Sequence, residues 1–123
     1  MIDRSSTRSK VRLPALEGTQ RYLFSLKDLA RRAGYFKLLG DPTRLKLLLS
    51  LAHAKELCVY DLADILEMET SAVSHQLRKL RDGGLVTNHR EGPTIYYHLE
   101  SEAIREVLAY ARSVLLEGQK PSA

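Results

Sequence analysis
Cysteine is nearly absent: the 123-residue chain has one, Cys58, so no disulfide can close within it. A reducing compartment is consistent with that single thiol. Long hydrophobic runs are missing as well. The densest, around Leu47 to Leu49, falls far short of the ~18 apolar residues that a membrane-spanning helix needs. The opening stretch MIDRSSTRSKVRLPALEG has no apolar core of the kind a secretory signal carries, so a cytoplasmic location is expected. Catalytic patterns are also lacking. There is no Gly-rich phosphate loop, no Ser/His/Asp order and no cluster of paired carboxylates, and an enzyme is not expected.

What is present has the composition of an ordinary globular protein, 44% hydrophobic and 28% charged, in a length that suits one domain. Net charge is +4, and its placement says more than its size. Residues 1–21 carry a net +3, residues 56–70 a net −5 with no Lys or Arg, and residues 71–90 a net +3. The sign reverses at residue 70. A local cationic patch of this kind steers a polyanion even on a mildly basic chain. Two ordinary solvated helices would be the plainer explanation of the same charges.

Residues 1–20 mix Ser, Thr, Arg, Pro and Gly without period and read as a flexible basic arm. From about Leu23, apolar residues recur at Leu26, Leu29, Ala33, Phe36 and Leu38 as a helix ending near Gly40. Asp41-Pro42 then opens another, with Asp as N-cap and Pro in the first turn. Its expected stripe is Leu45, Leu48, Leu49 and Ala52, with Thr43, Arg44 and Lys46 facing out. A short helix over Val59–Leu66 is expected to bury Leu62, Ile65 and Leu66. After a brief polar connection, Thr70 or Ser71 caps the next helix, and the pair makes a helix-turn-helix unit. Residues 85–90 and 94–99 read as strands around the turn Glu91-Gly92-Pro93, a wing. A last helix carries Ile104, Val107, Leu108, Ala111, Val114 and Leu115. With Leu26, Leu29 and Phe36 of the first helix, this stripe is the expected seam of a homodimer. The predicted fold is mainly α with a β-hairpin wing, ordered α-α-α-α-β-β-α. It occupies residues 21–118, and 119–123 form a flexible tail.

The segment SAVSHQLRKLR, from Ser71, is the most informative. Val73, Leu77 and Leu80 line one face at helical spacing, while Ser71, Ser74, His75, Arg78 and Lys79 occupy the other. Short hydroxyls come first and cations a turn later, which is unusual for a merely solvated face. A recognition helix in the major groove needs that order, because its N-terminal end approaches base edges most closely. Ser71, Ser74, His75 and Gln76 are therefore candidates for base contact, and Arg78 and Lys79 for phosphate or guanine. Arg90 and Thr94, flanking the compact turn, are candidates for the DNA backbone or minor groove. Singly, each has a bland reading as cap or surface residue; together with the hairpin and the charge reversal they favour DNA. A protein-docking winged helix is the alternative, but residues 71–82 offer no exposed aromatic anchor.

These residues also carry a resemblance. LLGDPTRLKLLLSL, ELCVYDLADILEMETSAVSHQLRKLRDGGLV and GPTIYYHL resemble the ArsR/SmtB family of bacterial repressors, over about residues 23–117. The resemblance implies a winged-helix homodimer with its first and last helices at the interface. It further implies operator binding at a palindrome and release by an inducer, often a metal ion. Ser71, Ser74 and His75 match family positions that touch DNA.

The family's metal positions are incomplete here. Its thiolate site takes a Cys-x-Cys at the start of the third helix, and in ELCVYD only Cys58 remains, with Tyr60 at the second position. Its interface site takes Asp-x-His from one last helix and His-x-x-Glu from the partner's. Here Ser101, Ala103 and Val114 stand at three of those places, and only Glu117 survives. No cofactor is expected, and zinc, cadmium, lead and arsenite are not expected to act through either place. His53, Cys58 and Glu117 remain weak candidates for an atypical metal site. His89 and His98 face each other across the expected wing, but a cross-strand pair supplies two ligands at most. Cys58 is also the one thiol through which a redox signal could act. A small buried hydrophobe is its plainer role.

Overall fold
The computed structural model describes residues 13–117. Six helices and a three-stranded antiparallel sheet occur among them: α1 (Leu13–Ser25), α2 (Leu29–Leu39), α3 (Pro42–Ala54), β1 (Glu56–Cys58), α4 (Val59–Leu66), α5 (Thr70–Asp82), β2 (Val86–Glu91), β3 (Thr94–Leu99) and α6 (Glu102–Leu116). The chain divides into two compact units after Arg32.

In the first unit, α1 begins at Leu13, so residues 13–20 of the expected flexible arm are helical. Pro14 is no obstacle there, because the first turn of a helix leaves its N–H groups unbonded. The remainder of the arm and the tail lie outside the described residues. The single helix expected from Leu23 to Gly40 is instead interrupted between α1 and α2. Asp28 adopts φ 56°, a left-handed conformation that a right-handed helix cannot continue.

In the second unit α3 is the central element. Asp41 caps it by accepting a hydrogen bond from the Arg44 N–H at 3.0 Å, with Pro42 in the first turn, as expected. Its buried residues are Leu47, Leu48 and Leu51, whereas Leu45, Leu49 and Ala52 are half-buried. The expected stripe was rotated, because a leucine-rich helix packed on several sides has no single apolar face. Arg44 does not face outward either. It is half-buried, its Nε donating to the Leu38 carbonyl at 3.0 Å and its Nη1 to Gln76 Oε1 at 3.5 Å.

The core gathers Leu47, Leu48, Leu51, Leu62, Val73, Leu77, Leu80, Leu85, Val86 and Leu108 at or near zero exposure. Full burial of each leucine contributes roughly 1.5–3 kcal/mol relative to solvent. In α4, Leu62 and Ala63 are buried but Ile65 is 54% exposed, contrary to expectation. The sheet order is β1-β3-β2, with β1 a strand that local sequence pattern did not reveal. Three residues are too few to show a period, and Glu56 to Cys58 pair with His98 to Tyr96, far along the chain.

In α6, Ser101 accepts from the Ile104 N–H at 3.3 Å as N-cap, and Arg105 Nη1 donates to the Ala52 carbonyl at the end of α3 at 2.8 Å. Ile104 and Leu108 are already buried within the chain. They belong to its own core rather than to an open seam. The apolar surface left on α6 is Val107, Tyr110, Val114, Leu115 and Leu116.

Candidate nucleic-acid interface
The helix-turn-helix is α4 and α5. Glu67 ends α4 in a left-handed conformation (φ 54°), and the Met68 N–H returns to the Ala63 carbonyl at 3.0 Å. That geometry closes the last turn of α4 and redirects the chain into α5 within three residues. The residue at the N-cap of α5 is Glu69, not Thr70 or Ser71, and its side chain makes no capping hydrogen bond. The hydroxyls of Thr70 and Ser71 thus stand in the first turn of the helix rather than closing it.

Val73, Leu77 and Leu80 are buried, which fixes the rotation of α5. Ser71, His75, Arg78, Lys79 and Arg81 are then exposed, and Ser74 and Gln76 are half-buried at the flanks. The Gln76 carbonyl oxygen accepts from Arg44 Nη1, and among the described residues its amide nitrogen has no hydrogen-bond partner. Two glycines end the helix. A Cβ at Gly83 would collide with the Leu38 side chain, and Gly84 has φ 82°. Together they turn the chain from α5 into β2.

The wing joins β2 to β3 through Gly92-Pro93, with Glu91 paired to Thr94. Gly92 has φ 61° with nothing near its missing Cβ, and Pro93 fixes a negative φ, the pattern of a type II′ turn. Arg90 is exposed and Thr94 half-exposed at this tip. Cys58, Tyr60, Thr70, Ser74, Pro93 and Thr94 share the wall of one cleft of about 360 Å³. The start of α4, the start of α5 and the wing turn therefore meet on one side of the molecule. Ser74 and Thr94 come together there, whereas His53 lies on α3 and Glu117 at the end of α6, away from that cleft.

A model of the bacterial regulatory proteins of the arsR family matches residues 41–88, the stretch from the α3 cap to β2. The chain is 37% identical over 81 residues to the cadmium resistance transcriptional regulatory protein CadC of Listeria innocua, covering 66% of this chain and 68% of the relative. The chain belongs to the arsR family. It is also 44% identical over 89 residues to a transcriptional repressor SmtB homolog of Synechocystis, covering 72% of this chain and 67% of that protein. Among solved structures, the homodimeric winged helix-turn-helix DNA-binding domain of Mb0332 from Mycobacterium bovis superposes with a TM-score of 0.66 at 30% identity, over 76% of this chain and 90% of that one. This ArsR-family chain is a winged-helix DNA-binding transcriptional regulator and not an enzyme. Among the described residues no helix is long and apolar enough to cross a membrane.

The family's two familiar metal positions do not fit a metal in this chain. Cys58 is the N-cap of α4, its Sγ donating to Asp61 Oδ2 at 3.2 Å, and Tyr60 is 73% exposed with no thiolate to offer. Ser101 is committed to capping α6, and Ala103 and Val114 carry no donor atom. Glu117, just past the end of α6, is left alone.

Proposed function
We propose that two copies of this chain bind a palindromic operator, each laying α5 in the major groove with its wing on the adjacent backbone, and repress transcription until an effector releases them. The observation that carries this reading is the outer face of α5. Ser71, His75, Arg78 and Lys79 lie exposed on it, the half-buried Ser74 lines the cleft shared with the wing turn, and the buried stripe holds that face outward. Ser71, Ser74 and His75 approach base edges, with Gln76 donating from its free amide; Arg78, Lys79 and Arg90 hold phosphates, and Thr94 follows the backbone beside the turn. Val107, Tyr110 and Val114 recur along one side of α6 and join the two copies, as the apolar seam of a symmetric dimer requires. The bacterial cytoplasm is where such a regulator meets its DNA.

The test is fluorescence anisotropy with labelled DNA from upstream of the protein's own gene, against unrelated DNA of equal length. Specific binding at least about a thousandfold tighter than to unrelated DNA supports the reading. Equal affinity for both, across salt concentrations, refutes it.

A further inference from the structure
α3 and α6 are tied where Arg105 Nη1 donates to the Ala52 carbonyl, and a groove of about 520 Å³ opens between them. Leu49, Ala52 and His53 reach it from one side of α3, at i, i+3 and i+4. Arg105, Leu108, Ala109 and Arg112 reach it from one side of α6, at i, i+3, i+4 and i+7. The floor is apolar: Leu49 and Ala52 are half-buried, Ala109 is exposed, and the fully buried Leu108 closes the bottom. The polar groups around that floor are two guanidinium groups and an imidazole. Among the described residues no Asp or Glu lines the groove, although the chain has 15 of them.

The two arginines are not equivalent. Arg105 is committed to Ala52, and its Nε lies 3.4 Å from Glu102 Oε1 in an exposed pair that water screens. Arg112 has no hydrogen-bond or ion-pair partner among the described residues. An anion entering the groove meets that uncompensated guanidinium, while any apolar part of it leaves water against the floor. Arg105 and Arg112 stand two helical turns apart, about 10 Å along α6. The groove also has the size of small-molecule sites, which run from about 300 to 1,000 Å³. We infer that it binds a small organic carboxylate with an apolar body, the carboxylate held by Arg112 and the body lying against Leu49, Ala52 and Ala109. His53 supplies a further donor from α3. A bare inorganic anion would leave the floor uncovered, and a neutral apolar molecule would leave Arg112 unused. At 3.6 residues per turn, Val107, Tyr110 and Val114 point to the opposite side of α6, so the dimer seam does not use this face.

The experiment uses the full chain without DNA, so its outcome is separate from that of the operator reading. Cinnamate and octanoate, an aromatic and a linear carboxylate, are titrated by calorimetry beside cinnamyl alcohol and octanol. The expected result is that at least one carboxylate binds once per chain, at least about tenfold tighter than its alcohol. Arg112→Gln should weaken that carboxylate at least about tenfold and leave the alcohol unchanged. Ala109→Glu, at an exposed position, should abolish carboxylate binding through like-charge repulsion. Arg78→Gln, on α5, should leave it unchanged. Circular dichroism checks that each variant remains folded. Failure of both carboxylates to bind at millimolar concentration overturns the proposal. So does equal affinity for acid and alcohol, or binding that Arg112→Gln and Ala109→Glu both leave at the wild-type strength.

Discussion

α5 and α6, of 13 and 15 residues, each bury a stripe in the same core, and they differ in what the remaining face carries. On α5 it is Ser71, His75, Arg78 and Lys79; on α6 it is Val107, Tyr110 and Val114. The buried stripes are nearly interchangeable in chemistry, so they specify where each helix sits and nothing about what it meets. Function is written on the outer faces. A solvated cationic face attracts a polyanion and is weakened by salt, whereas an apolar face gains only by leaving water against another apolar face.

The largest effect should come from confusing the two layers of α6. Leu108 is 0% exposed within one chain, so Leu108→Glu places a charge in the core. A loss of about 4 kcal/mol or more in urea-unfolding stability is expected, with the fold itself failing rather than the dimer alone. Next comes the outer layer. Tyr110 and Val114 are 75% and 51% exposed, and Tyr110→Glu with Val114→Glu should leave the monomer folded while weakening self-association by about 2 kcal/mol or more. Sedimentation that still shows a wild-type dimer for this double variant would contradict the division between the two layers of α6.

Smaller effects sharpen the α5 side. Arg44→Met removes the hydrogen bonds to Leu38 and Gln76 and should cost about 1 kcal/mol of stability, with a modest loss of operator affinity through the freed Gln76. Arg78→Ala should weaken specific and unrelated DNA alike and reduce the slope of log affinity against log salt by about one unit. An unchanged slope would remove Arg78 from the phosphate contacts.

The same comparison shows what the sequence discloses. The α5 stripe, the Asp41-Pro42 helix start and the wing turn around Gly92 were legible because each is a local pattern, set by a period or by the φ a residue tolerates. The apolar stripe of α6 was legible as apolar, but not which half meets the chain's own core; Leu108 and Tyr110 are distinguished only by what α3 covers. Arg44 looked like a surface cation because its partners, Leu38 and Gln76, come from other helices. β1 was missed for the same reason. Its pairing with β3 is non-local, and it places Glu56 beside the wing histidines. Ile65, at helical spacing in a short apolar helix, looked buried yet is exposed, since eight residues do not fix the rotation of a stripe.

The central claim is that the outer face of α5 reads DNA sequence, and its most direct test is the specificity ratio of one double variant. Operator and unrelated DNA are titrated by anisotropy with wild type and with Ser74→Ala/His75→Ala, at equal salt and with dimerisation checked by sedimentation. Each lost base contact should cost about 1–3 kcal/mol against the operator and little against unrelated DNA, so the ratio should fall by about tenfold or more. A folded, dimeric variant with the wild-type ratio would contradict the account.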